Sequence, residues 1–171
     1  ARYGTGEKIQ FPHNFAEHYD TAKTYGTYVA KLKLPKIEAG QSLAIYMPYQ
    51  YGSYKLYVNE NVIARNGTVG STKSEQKPEM APKIGQMHVS NQEVILTLQL
   101  SNFYSSIGGF LITPYVGDFK ELVNTHNTSI MFRFFTIGIV VIASLFALFY
   151  SLFNKRSPQI ILFVLFSSAL A

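Results

Sequence analysis

EVILTLQLS, at residues 93–101, sets Val94, Leu96, Leu98 and Leu100 on one side and Thr97, Gln99 and Ser101 among those on the other. A polarity period of two marks a strand with one wet face, because successive side chains of an extended chain point to opposite sides. The same pattern recurs upstream in GTYVAKLKL at residues 26–34, where Tyr28, Ala30, Leu32 and Leu34 alternate with Val29, Lys31 and Lys33. Four more runs read as strands: LAIYM (43–47), SYKLYV (53–58), NVIA (61–64) and GFLITPYV (109–116). Gly, Pro and Asn turn signals separate them.

Between the third and fourth of these strands, Val58-Asn59-Glu60-Asn61-Val62 reads as a tight hairpin, since Asn tolerates the left-handed backbone that a two-residue turn needs. Residues 70–86, with Lys73, Lys77, Pro78, Pro82 and Lys83, read as a polar loop. Upstream of the membrane run no long segment has a helical period, so antiparallel strands in a sandwich or barrel are the expected architecture.

The second decisive stretch is FFTIGIVVIASLFALFYSLF at residues 134–153, which carries no charge. About twenty such residues at 1.5 Å each match the roughly 30 Å hydrocarbon core of a bilayer. Gly138, Ala143, Ser144 and Ala147 are small residues at helical spacing, so this span is expected to pack against others, and a homodimer is among the expected partners beside the bilayer itself. After the polar break Asn154-Lys155-Arg156-Ser157-Pro158, the run QIILFVLFSSALA (159–171) is too short to cross. The expectation is a chain that continues past Ala171 into a complete second span. Lys155 and Arg156 against the single Arg133 place the short loop inside and the strand-rich part outside, in a multi-pass protein of the cell (inner) membrane. The domain expectation is therefore a β-sandwich at residues 1–127 and a membrane domain at 128–171, with helix 1 at about 132–153 and helix 2 at about 159–171.

Composition narrows the function classes. The 171 residues have a net charge of +5, but the lysines are scattered and no nucleic-acid-binding module signature is present, so no nucleic-acid partner is expected. Cysteine is absent, which removes disulfides, thiolate metal sites and thiol nucleophiles. The chain opens without Met and without a charged-then-apolar leader, so any signal peptide is expected to lie upstream of Ala1.

Several pieces in order resemble the bacterial seven-transmembrane receptors with diverse intracellular signalling modules. They are Phe11-Pro12, Tyr25-Gly26-Thr27-Tyr28, Leu43-Ala44-Ile45-Tyr46-Met47-Pro48, Ser53-Tyr54-Lys55-Leu56-Tyr57-Val58-Asn59, Asn66-Gly67-Thr68-Val69-Gly70, and Ser101-Asn102-Phe103 with Gly108-Gly109, followed by the membrane run. One departure stands in the hairpin, where the usual Asn-Gly is replaced by Asn59-Glu60. The resemblance implies a jelly-roll, galactose-binding-like β-sandwich followed by transmembrane α-helices. It also implies a sensor role, with a carbohydrate among the candidate ligands and an output domain beyond this sequence. Similar jelly-roll modules also serve as sugar-binding domains, so a membrane-tethered carbohydrate-binding or adhesion module without signalling is the alternative.

The side chains that carry chemistry point to binding rather than catalysis. The ten acidic residues fall mainly at turns, loops and strand ends, where no facing pair of carboxylates is expected. His13 and His18 are expected to be surface histidines without a metal, and no phosphate loop or nucleophile elbow occurs, so neither enzymatic activity nor a cofactor is expected. Tyr49 and Tyr51, in the turn at residues 48–52, are the candidate stacking rings, and Asn102 is the candidate directional amide for a ligand. For Asn102, fixing a loop is the competing role.

Overall fold

The computed structural model describes residues 6–34, 42–88 and 92–153. Two compact units divide the chain, one ending at Leu122 and the other starting at Val123.

The first unit is β-rich. Its elements are β1 (His13–Asn14), α1 (Phe15–Tyr19), β2 (Thr24–Lys33), β3 (Leu43–Met47), β4 (Ser53–Val58), β5 (Asn61–Asn66), β6 (Lys83–Gln86), β7 (Glu93–Asn102), β8 (Gly109–Phe110) and β9 (Tyr115–Asp118), followed by α2 (Phe119–Phe153). All pairings are antiparallel: a four-stranded sheet β2-β7-β4-β5, a three-stranded sheet β6-β3-β9 and a two-stranded ribbon β1-β8. The alternation of β7 works as its sequence dictates, with Val94, Leu96, Leu98 and Leu100 all buried. They join Tyr54, Leu56 and Val58 of β4 and Leu43, Ile45 and Met47 of β3 in one hydrophobic cluster, so the domain is sandwich-like. Fully burying side chains of this size stabilises by about 1.5–3 kcal/mol each.

The β4–β5 hairpin forms around Asn59-Glu60. Asn59 takes a φ of 55°, and among the described residues Glu60 is not one of those with positive φ. A side chain is therefore tolerated where the usual motif has glycine. Asn59 is tied down further, its N–H donating to the Ile95 carbonyl (2.7 Å) and its Oδ1 accepting from the Ile95 N–H (3.0 Å).

Three expectations are corrected. The run at 109–116 is not one strand but β8 and β9. The N–H groups of Leu111 and Ile112 are given to the Gln50 Oε1 (both 3.3 Å) instead of a ladder, and Pro114 has no N–H to give. The polar stretch at 70–86 ends in a strand, because Lys83–Gln86 pairs with β3 from Met47 to Ala44. His13 is not a surface residue: it is only 8% exposed, with Nδ1 2.9 Å from the Tyr28 hydroxyl.

The second unit consists, in its described part, of most of α2. This helix is long and apolar enough to cross a membrane. It starts upstream of the apolar run, where Asp118 Oδ1 accepts from the Glu121 N–H (3.1 Å) and so satisfies one of the free donors of the first turn. Within it, the hydroxyls of Thr136 and Ser144 donate to the carbonyls of Phe132 (2.9 Å) and Val140 (2.8 Å), which suits a polar side chain to an apolar surrounding. Phe134, Phe135, Ile142 and Phe146 stand exposed along the helix. The loop at 154–158 and the second apolar run at 159–171 lie outside the described residues.

Candidate functional site

The four-stranded sheet has one face in the core and one face outside, and the register brings polar side chains together on the outer face. Thr27 of β2 pairs with Gln99 of β7, Gln99 with Lys55 of β4, and Lys55 with Arg65 of β5. One row of four polar side chains thus crosses all four strands, at the roughly 5 Å spacing of directly opposite residues.

The neighbouring row, Tyr25, Ser101 and Ser53, lies under a loop at its Ser101 and Ser53 positions. Residues 67–79 fold across it and are held by buried polar side chains. Gln76, 2% exposed, donates from Nε2 to the Ser101 carbonyl (2.9 Å) and to the Ser53 hydroxyl (3.3 Å), while its Oε1 accepts from the Phe103 N–H (2.7 Å). Ser53 Oγ donates to the Lys77 carbonyl (2.8 Å), and Asn66 Nδ2 to the Glu79 carbonyl (2.6 Å). Gly67, at φ 65°, has the Lys77 carbonyl oxygen where a Cβ would stand, so only glycine fits this crossing. The loop is therefore pinned to the sheet at several points.

Floor and loop together enclose a groove of about 510 Å³, lined by Thr27, Gln99, Lys55 and Arg65 below and by Gly67 to Ser71 and Glu75 on the loop side. Tyr25, 57% exposed, lines it from the edge strand. Tyr57 donates its hydroxyl to Gln99 Oε1 (3.1 Å), so the Gln99 amide N–H groups are the donors left for a ligand. The Lys55 ammonium lies 5.2 Å from the Tyr57 ring centroid. Glu75 accepts from the Ser71 N–H (2.9 Å) and hydroxyl (2.8 Å), bonds that hold its carboxyl below the usual range and keep it charged. A second cavity, about 180 Å³, is almost wholly apolar and is lined by Phe11, Tyr28, Leu32, Leu98, Phe110 and Pro114 among others.

The residues singled out from the sequence stand elsewhere. Gln50, fully buried, donates to the Ile112 carbonyl (2.7 Å) and anchors the turn at 48–52, with Tyr49 and Tyr51 flanking it. Their rings meet edge-on at 6.0 Å, Tyr49 being 45% exposed and Tyr51 half-buried. Asn102 is 1% exposed, and its amide donates to the carbonyls of Ala22 (2.8 Å), Ser105 (3.0 Å) and Ile107 (3.0 Å) while accepting from the Ser105 N–H (3.0 Å). It fixes the loop after β7. None of the three lines either cavity. His18 pairs with Glu7 at 2.9 Å, and among the described residues no cluster of three or more metal-ligating side chains occurs.

No protein-family model and no curated protein matches the chain. Among solved structures it is similar to Faecalibacterium prausnitzii beta-glucuronidase, at 18% identity and a TM-score of 0.44, over 58% of this chain. The aligned part is 16% of the length of that enzyme.

Proposed function

We propose that this chain is a membrane-tethered binding module whose jelly-roll-type, extracytoplasmic β-domain holds a carbohydrate in the groove on its outer sheet face. The observation that carries the reading is the groove itself: a pinned loop, a row of hydrogen-bonding side chains and an exposed tyrosine ring bordering one cavity. Sugars present both hydroxyls and apolar ring faces, so a polar floor with an aromatic edge matches them. A pinned loop also lowers the ordering cost of binding. The strand order, in which β7 lies between β2 and β4 and β3 between β6 and β9, supports the jelly-roll reading.

The test is a glycan array probed with the full chain in lipid nanodiscs, then repeated with Tyr25→Ala. Loss of a stacking ring lowers affinity by about 5- to 150-fold, whereas loss of an exposed side chain changes stability by under about 0.5 kcal/mol. A fall in melting temperature with unchanged glycan binding would remove Tyr25 from the site.

A sensor that passes its state to the membrane is the second reading, favoured by the junction of strand and helix. No residue separates β9 from α2, and the Phe119 N–H donates to the Ser42 carbonyl (2.7 Å). Such a receptor needs two conformations with different ligand affinities. Cross-linking between cysteines placed along α2 that changes with saturating ligand would establish it, and an unchanged pattern would leave the tether.

A further inference from the structure

We infer that the groove selects carboxylated saccharides, a uronate-type sugar whose carboxylate lies against Lys55 and Arg65; this rests on the reading of the groove as a carbohydrate site. Lys55 and Arg65 are direct partners on adjacent strands. Like charges in directly opposite positions of a sheet repel, and here nothing within the row neutralises them. Lys55 has turned over the Tyr57 ring. The Arg65 guanidinium has no ion-pair partner within 4 Å among the described residues; the Glu79 carboxylate is near enough to feel its charge but is bonded to Lys83 Nζ (2.7 Å) and the Gly67 N–H (2.9 Å).

Among the lining residues the balance is therefore two cations against one carboxylate, Glu75, which is tied to Ser71 on the loop side. An anion on the floor removes the repulsion of the pair and gains charge-assisted hydrogen bonds. A planar carboxylate suits the arginine fork, which donates two parallel N–H bonds to it. The hydroxyls of the same sugar then fall to Thr27, the Gln99 amide and Glu75, whose charged carboxyl accepts from them. The partition assigns the acid group to the β4–β5 side of the floor and the neutral hydroxyls to the β2–β7 side.

The experiment uses the full chain in nanodiscs of neutral lipid. The probes are galacturonate, glucuronate and mannuronate oligomers, the methyl esters of the same oligomers, and a sulfated neutral oligosaccharide. At least one free acid should bind about tenfold or more tightly than its own ester, and this preference should shrink as salt is raised. Arg65→Gln and Lys55→Gln should each erase most of that preference by weakening binding of the free acid far more than binding of its ester, and keep the melting temperature of the ligand-free protein the same or slightly higher, since each relieves the repulsion. Equal binding of acid and ester overturns the inference while the carbohydrate reading stands. Preference for the sulfated oligomer overturns it in favour of sulfate. No binding of any acid or ester overturns the inference, and an array negative for neutral glycans as well overturns the carbohydrate reading with it. A melting temperature lowered by more than about 5 °C in both variants assigns the pair a structural role and also overturns it.

Discussion

Replacing Asn102 with alanine separates a folding role from a ligand role at one position. The substitution deletes an amide that serves three carbonyls and one N–H, at 2.8 to 3.0 Å. An amide nitrogen has only two hydrogens, so three good bonds are the fair count, one of the donated ones being shared. At a net 0.5–1.5 kcal/mol each, with the groups left behind partly reachable by water, the expected loss is about 2–4 kcal/mol. For a domain of this size each kcal/mol moves the melting temperature by about 3–5 °C, so the shift is on the order of 6–20 °C. Asn102→Asp should be worse near neutral pH, because a carboxylate would face the oxygens of Ala22, Ser105 and Ile107. Lowering the pH should recover part of that loss as the carboxyl protonates. Even the backbone is fitted to this amide: a Cβ on Gly108 would meet Asn102 Nδ2. Thermal denaturation of the full chain in micelles, followed by circular dichroism, measures both variants. A melting temperature within about 2 °C of the parent for Asn102→Ala, together with lost glycan binding, would refute this reasoning and return the amide to a ligand.

Burial, and then the neighbouring His18, hold the His13 pKa below 6.5 against the opposing pull of Glu17 and Glu7, so folding favours the neutral ring. Its contribution to stability is complete above pH 6.5 and falls as the pH drops below that value toward the folded pKa, where the unfolded chain gains the proton first. Melting temperature measured from pH 8 to 5 should show this decline, flattened in His13→Gln. Tyr49→Ala, at an exposed turn ring that meets Tyr51 edge-on, should change stability by under about 1 kcal/mol, and a loss of glycan affinity at that position would reveal a second contact surface outside the groove. Val141→Arg in the middle of the apolar run should oppose membrane insertion by about 2.5–3.5 kcal/mol, read as protein released by alkaline extraction of membranes. A cysteine at the exposed Thr72 should react with an impermeant reagent in intact cells or spheroplasts, and protection there would invert the topology.

The strands were legible wherever the local pattern decides them. LAIYM and SYKLYV are β3 and β4 end to end, and EVILTLQLS is β7 short of one residue, because each must keep one face in the core. β6 was not legible: Lys-Ile-Gly-Gln has little strand propensity, and its ladder comes from β3, some forty positions away. The floor of the groove was hidden for a related reason. Thr27, Gln99 and Lys55 each lie within an expected strand as an ordinary wet position, Arg65 lies one residue past the strand expected at 61–64, and only the register between distant strands aligns the four. The signal within reach was the Asn59-Glu60 hairpin, since pairing can be counted back from a two-residue turn. That count fails at one point. Val58 pairs with Asn61 and Tyr57 with Val62, but a bulge then shifts the register so that Leu56 pairs with Ala64 and Lys55 with Arg65. Without the bulge Lys55 would oppose Ala64, and Arg65 would stand on the other face.

Strand alternation also sets the groove residues apart from the core. Alternation along β4 sends Tyr54, Leu56 and Val58 inward and Lys55 and Tyr57 outward, and along β7 it sends Leu98 and Leu100 inward and Gln99 outward. The groove residues therefore share strands with the core but stand outside its cluster, and replacing Lys55 or Arg65 opens no cavity in it. The loop wall is different. It rests on Gln76, Ser53 and Asn66, all buried and all hydrogen-bonded to the backbone, so a change there loosens the groove and weakens the fold together. Floor substitutions should thus alter ligand preference at constant melting temperature, whereas Gln76→Ala should lower both affinity and melting temperature. If Gln76→Ala instead weakens binding with the melting temperature unchanged, the loop is not held by this side chain and the groove is not preformed.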